Sequence, residues 1–235
     1  MAARIASVLA FFALLLASHP APAAADLTDT ERRWLAGATP PVTWALEQGL
    51  PIDIVVLPQA QPGAAPIAMG YEEGRCKLVF AMRGNPAAES TLAQIPAPLL
   101  QATLEAMTAH EIGHCQRRRS GAFDSLPAGL VDQPDAIESR QPTAELQAMA
   151  REMRITRREE AFADLVGLAW THAHHADQFT QVLSWFDAAR SDETPRGHHD
   201  TRHWLALAHA PEAFADTAGP FEQAAVLWQQ GLLDD

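Results

Sequence analysis

Residues 98–119 have little choice but helix. Leu99, Leu100, Thr103, Leu104, Met107 and Ile112 recur at helical spacing. Pro98 suits a helix start, where its missing N–H costs nothing. Arg117, Arg118 and Arg119 put positive charge at the far end, where the helix dipole favours it. Inside this helix stands His110-Glu111-Ile112-Gly113-His114. Residues four apart share a helix face, with Cβ atoms about 5–6 Å apart, so His110 and His114 can aim ring nitrogens at one point. Glu111 is turned about 100° from His110 and reaches beside that point. Gly113 costs about 1 kcal/mol in a helix interior. A plain solvated helix gains nothing from it, whereas a helix that another element must approach closely does.

Two imidazoles so placed suit Zn²⁺, which takes His nitrogen at about 2.0–2.1 Å. One such ion per chain is expected, with Glu111 taking the proton of the attacking water. A catalytic zinc also needs a third protein ligand and an open position. A third His six residues beyond His114 is absent, because Ser120 stands there. The downstream candidate is Glu160, in Glu159-Glu160-Ala161-Phe162-Ala163-Asp164. Asp164 lies one turn further on the same face. It can accept the other ring N–H of a ligand His and so fix its tautomer. Glu159 is the fallback ligand. The alternative for all three carboxylates is an ordinary charged face pairing with Arg157 and Arg158. His172, His174 and His175 form another cluster, either a second metal site or the crowded end of a solvated helix.

The N-terminus reads as an export signal. Arg4 is followed by an apolar run over residues 5–17 and then by small, Pro-broken residues ending in alanines. The run is shorter than the roughly 20 residues a bilayer requires. We place a signal peptide at 1–25 and one domain at 26–235, exported to the periplasm or secreted, with no transmembrane segment in the mature chain. The formal charge is −12, and removing Arg4 makes it one unit more negative. Such a chain is a poor nucleic-acid partner. Cys76 and Cys115 are its only cysteines. In an exported protein they predict one disulfide, worth roughly 4 kcal/mol by chain entropy. Two buried free thiols are the alternative. Cys115 as a fourth metal ligand would close the site, but it lies about 100° round the helix from His114.

The remaining pattern is α+β. Thr28 and Glu31 have capping-box spacing at the head of a short helix over 28–36, which Pro40-Pro41 should stop. Residues 52–57 read as a buried strand. Residues 67–71 and 76–82 read as a hairpin closed by Glu72-Glu73-Gly74. The segment 120–142 is rich in Gly, Pro and Ser and lacks a period, and a connection of that length is often functional. A helix capped by Thr143 then runs to about residue 175, with a break allowed near Ile155-Thr156, followed by helices over 177–190, 201–210 and 221–232.

The paired motifs, His110-Glu111-Ile112-Gly113-His114 and Glu160-Ala161-Phe162-Ala163-Asp164, resemble those of gluzincin zinc metallopeptidases of the HtpX and CAAX-prenyl-endopeptidase group. The likeness spans residues 76–203, without the membrane helices of the integral members. It implies a zincin-like α+β fold, with a small sheet and hairpin ahead of a mainly helical domain. It implies zinc on His110, His114 and Glu160, with Glu111 as catalytic base and Asp164 behind the ligands. In that family a His-bearing segment after the third ligand steadies the tetrahedral intermediate. Gly197-His198-His199-Asp200-Thr201-Arg202-His203 is the counterpart here, with His199 or His198 first and Arg202 next. Asp200 stands where that family has Pro, and a polar helix cap before Trp204 is the alternative. The activity implied is hydrolysis of peptide bonds in exported or unfolded proteins. Other readings are a non-catalytic, zincin-like periplasmic module that binds partner proteins, with residues 120–142 over the site, or an amidase or cell-wall hydrolase using the same zinc chemistry on a non-protein amide. A Cys76–Cys115 bond would tie the second hairpin strand to the motif helix, and that strand could receive an extended peptide by strand addition.

Overall fold

The capping box forms. Thr28 Oγ1 accepts from the Glu31 N–H at 3.1 Å, and the Glu31 carboxylate accepts from the Thr28 N–H at 2.6 Å. The helix it starts, α1 (Asp29–Glu47), runs on through Pro40 and Pro41 instead of stopping there. Two prolines remove two backbone bonds. However, Trp34, Ala38, Pro41, Val42 and Ala45 make one continuous buried face, and each large apolar side chain buried is worth about 1.5–3 kcal/mol. Packing outweighs the local penalty. The computed structural model describes residues 26–210, 212–214, 219–233 and 235. The expected signal peptide lies outside these residues.

Strands β1 (Ile52–Val56), β2 (Ile67–Glu72) and β3 (Arg75–Phe80) form one sheet in the order β1-β3-β2. β1 is parallel and β2 antiparallel to β3. The hairpin turn is Glu73-Gly74, both with positive φ (51° and 75°), as a two-residue turn matched to strand twist requires. The cysteine-bearing strand β3 is paired on both sides, so it cannot receive a further strand. This corrects the expectation for residues 76–82: the edge strands are β1 and β2, and β2 is the one beside the motif helix. The Ala81 N–H donates to the Pro66 carbonyl at 3.0 Å. Antiparallel pairs alternate, so Ala68 and Gly70 bond inward to Val79 and Lys77. Ile67, Met69 and Tyr71 therefore turn their N–H and C=O groups to the open edge.

Helix α2 (Pro86–Gln94) was not expected. Its signal is Asn85-Pro86: the Asn85 side chain accepts from the Ala87 N–H at 3.1 Å, and Pro86 takes the first helical position. Helix α3 (Leu100–Arg119) carries the motif. Residues 120–142 hold one helical turn, α4 (Ala136–Ser139). They are pinned by ion pairs from Asp132 to Arg154 and Arg158 and from Glu138 to Arg154. Helix α5 (Ala144–His174) is unbroken. The β-branched Ile155 and Thr156 cost only tenths of a kcal/mol each, too little against its buried face. α6 (Phe179–Ser191), α7 (Arg202–Ala208) and α8 (Pro220–Leu232) follow. No helix among the described residues is long and apolar enough to cross a membrane.

Two apolar cores meet at α3. One joins the sheet and α1 through Trp34, Leu78, Phe80 and Ile112. The other joins α5 to α8 through Phe162, Leu165, Trp170, Trp204 and Trp228. α3 and α5 cross through two glycines, one from each helix. A Cβ on Gly113 would lie 3.1 Å from Ala163 Cα, and one on Gly167 would lie 2.6 Å from the Ala106 carbonyl oxygen. We expect Gly167→Ala to destabilise the fold by about 1–3 kcal/mol, despite alanine's better helix propensity. A thermal midpoint equal to or above that of the wild type would contradict this close approach.

Cys76 on β3 and Cys115 on α3 stand at disulfide distance, with Sγ–Sγ 1.98 Å, both fully buried. The tie joins the sheet to the motif helix one residue after His114. Cys76→Ala with Cys115→Ala is expected to lower stability by about 2–4 kcal/mol, read as a shift in the urea midpoint. An unchanged midpoint would show that the bond constrains nothing.

Candidate metal centre

The α3–α5 crossing brings together residues some fifty positions apart. His110 and His114 face a common point from α3, and Glu160 faces it from α5. Their Nε2 atoms lie 3.2 Å apart. His114 Nε2 is 3.4 Å from Glu160 Oε1, and His110 Nε2 is 3.5 Å from Glu160 Oε2. These three residues offer donor atoms all within 4.8 Å of one another, and they could hold a metal ion. No other group of three or more His, Cys, Asp or Glu among the described residues could do so.

Asp164 is fully buried behind them. His110 Nδ1 lies 2.8 Å from its Oδ1. Arg190 on α6 donates Nε to Oδ2 at 3.0 Å and Nη2 to Oδ1 at 2.8 Å. Thr201 donates its hydroxyl to Oδ2 at 2.6 Å. Burial alone would raise the Asp164 carboxyl, but the Arg190 charge and the His110 hydrogen bond outweigh it and hold it well below the usual carboxylate range. An ionised carboxylate only accepts. His110 therefore carries a proton on Nδ1, and Nε2 is the ring nitrogen that faces Glu160 and His114. Burial also pushes Glu160 up, yet the His114 hydrogen bond and the two imidazoles bring it down to about 2.

Glu111 is half-buried beside this triad. Desolvation raises its carboxyl above the ordinary value, partly offset by His110 and His114. The backbone N–H of Met69, on an edge of the sheet, faces it and also draws it down. The cleft around it, roughly 410 Å³, runs between β2 and α6 and is walled by Met107, Trp185 and Phe186.

The other candidate residues fall as follows. His199 lines the cleft with Nε2 3.8 Å from Glu160 Oε1. His198 is exposed, and Arg202 pairs with Asp200 at 2.6 Å, lining a different hollow. Glu159 is taken by Arg117, with bonds of 2.8 and 2.5 Å, and stands apart from the triad. Arg157 and Arg158 pair with Asp235, not with the acidic motif. His174 stacks on Trp170 with ring centroids 3.7 Å apart, His175 pairs with Glu105 at 2.8 Å, and His172 packs against Phe179 and Phe214. These three histidines face different partners and form no second metal site. Sequence reasoning missed Arg190 and the role of Thr201, both brought to Asp164 only by folding.

Compared with protein-family models, with curated proteins and with solved structures, the chain finds no match.

Proposed function

We propose that this chain is a zinc-dependent endopeptidase of the zincin-like type its motifs resemble, acting on extended or unfolded segments of exported proteins. The observation that carries the reading is the spacing of the donors. A tetrahedral ion with bonds of about 2.0–2.1 Å sets neighbouring donor atoms about 3.3–3.4 Å apart. The two imidazole Nε2 atoms are 3.2 Å apart, and each has one Glu160 oxygen near that spacing, Oε1 at 3.4 Å from His114 and Oε2 at 3.5 Å from His110. Two neutral imidazoles and a carboxylate are a donor set suited to zinc. The Cys76–Cys115 tie is compatible with an oxidising compartment.

A zinc ion held by His110, His114 and Glu160 supplies a Lewis acid that polarises a carbonyl and acidifies water. The chain's own groups do the rest. Glu111 takes the proton of the attacking water and delivers it to the leaving amine. Its raised carboxyl brings its basicity nearer to neutral pH, where such exchange works best. Asp164, clamped by Arg190 and Thr201, keeps His110 in one tautomer and orientation. His199 is the donor we assign to the developing oxyanion. The edge groups of Ile67 and Tyr71 offer main-chain bonds to an extended substrate.

Chelation should abolish cleavage of casein by the purified protein, and one equivalent of zinc should restore it. A zinc-loaded protein that leaves casein and a degenerate peptide library intact would overturn the peptidase reading in favour of a binding module.

A further inference from the structure

We propose that a second hollow beside His114 is a subsite for a carboxylate of the substrate, with Arg118 as its recognising group. The proposal rests on the peptidase reading above and adds to it a substrate class. The metal triad lies between two hollows that share Met69, His114 and Glu160. They differ in chemistry. The cleft toward α6 has an apolar wall, and its one arginine, Arg190, is spent on Asp164. The other hollow, roughly 180 Å³, is bounded by Gly70, Tyr71, Phe123 and Arg118.

Arg118 sits over Phe123, its guanidinium carbon 3.4 Å from the ring centroid. A cation–π contact of this kind restrains the head group beside the hollow. Arg118 is exposed and makes no ion pair among the described residues. Its neighbour Arg117 is paired with Glu159 at 2.5 Å. Of the arginines lining the two hollows, Arg190 is paired with Asp164 and Arg118 has no ion pair among the described residues. A planar guanidinium matches a carboxylate with two parallel bonds, which an ammonium cannot do.

Position links the hollow to the reacting bond. It borders two of the three metal-facing residues and the stretch of β2 from Met69 to Tyr71. An extended chain advances about 3.4 Å per residue. A side chain one or two residues from the bond being cut, on a peptide lying along β2, therefore falls over Arg118. The hollow has room for an Asp or Glu side chain, or for a chain's terminal carboxylate.

The test uses the zinc-loaded protein and peptides that differ only in Glu, Gln or Lys at one or two residues on either side of the cleaved bond. Each is made with a free and with an amidated C-terminus. Glu at one of these positions is expected to raise kcat/KM about three- to tenfold over Gln, with Lys lowest, and added salt should shrink the difference. Arg118→Glu should invert the order, and Arg118→Lys should keep it in weakened form. Binding of the same peptides to zinc-loaded Glu111→Gln, followed by tryptophan fluorescence, should rank them alike. A preference that tracks the free terminus instead of the side chain identifies the terminal carboxylate as the ligand. Equal cleavage of Glu, Gln and Lys peptides, or an Arg118→Glu protein that changes all three by one factor, overturns the subsite alone. Absence of cleavage of every peptide overturns the peptidase reading and the subsite with it.

Discussion

Replacing Glu111 with Gln should leave zinc bound at one per chain and lower peptide cleavage by about 10²–10⁴-fold, the usual worth of a positioned general base. The amide is nearly isosteric with the carboxylate, so the half-buried position is refilled without a cavity. It can still face the Met69 N–H. What it cannot do is take a proton from water. Glu111 makes none of the triad's close contacts: His110, His114 and Glu160 are within 3.2–3.5 Å of one another without it. Metal content and catalysis should therefore separate in this variant, and mass spectrometry of the intact protein beside an assay on casein reads both. Undiminished cleavage by Glu111→Gln would remove the residue from the mechanism.

The second large effect concerns metal. Glu160→Ala and His114→Ala should each lose zinc on dialysis, since each leaves only two protein donors. Asp164→Asn keeps all three donors and disturbs only their support. It should weaken zinc affinity by about 10–100-fold, the usual cost of removing a carboxylate that orients a ligand His. The order Glu160→Ala below Asp164→Asn below wild type, measured by competition with a chelator of known affinity, is the expected result. Asp164→Asn also breaks a buried pair with Arg190, so urea unfolding must accompany the measurement to separate lost affinity from lost fold. Glu159 cannot substitute for Glu160 while Arg117 holds it. Full zinc occupancy in Glu160→Ala would show that the carboxylate is not a ligand.

The parts of this arrangement visible in the sequence are those that depend on spacing along one element. His110 and His114 share a face because they are four apart, and Glu160 and Asp164 do so for the same reason. Thr28 and Glu31 cap α1 as their spacing requires. Gly113 gave notice of a close neighbour, and α5 is that neighbour. What was hidden depends on which elements meet. Pro40 and Pro41 read as a stop because the face of Trp34, Ala38 and Val42 has no visible partner until α3 and the sheet are in place. The two hairpin strands look alike in sequence. Only the parallel pairing of β1 with β3 covers β3 and leaves β2 as the hairpin strand at an edge. Arg190 sits at the end of an amphipathic helix like any surface arginine, and nothing local directs it 26 residues back to Asp164. Asn85-Pro86 was a missed signal of another kind, since its capping chemistry is local and readable.

The crossing of α3 and α5 has a thermodynamic consequence. The contact that closes the larger core at Gly113 and Gly167 is also the contact that assembles the three residues able to hold a metal ion, two from one helix and one from the other. An ion that binds only the assembled state stabilises the fold by mass action, by about 4 kcal/mol at a thousand times its dissociation constant. Folding and metal loading are then one linked equilibrium. If the proposed ion binds there, a chain starved of it would spend more of its time open along the very seam that holds its interior together.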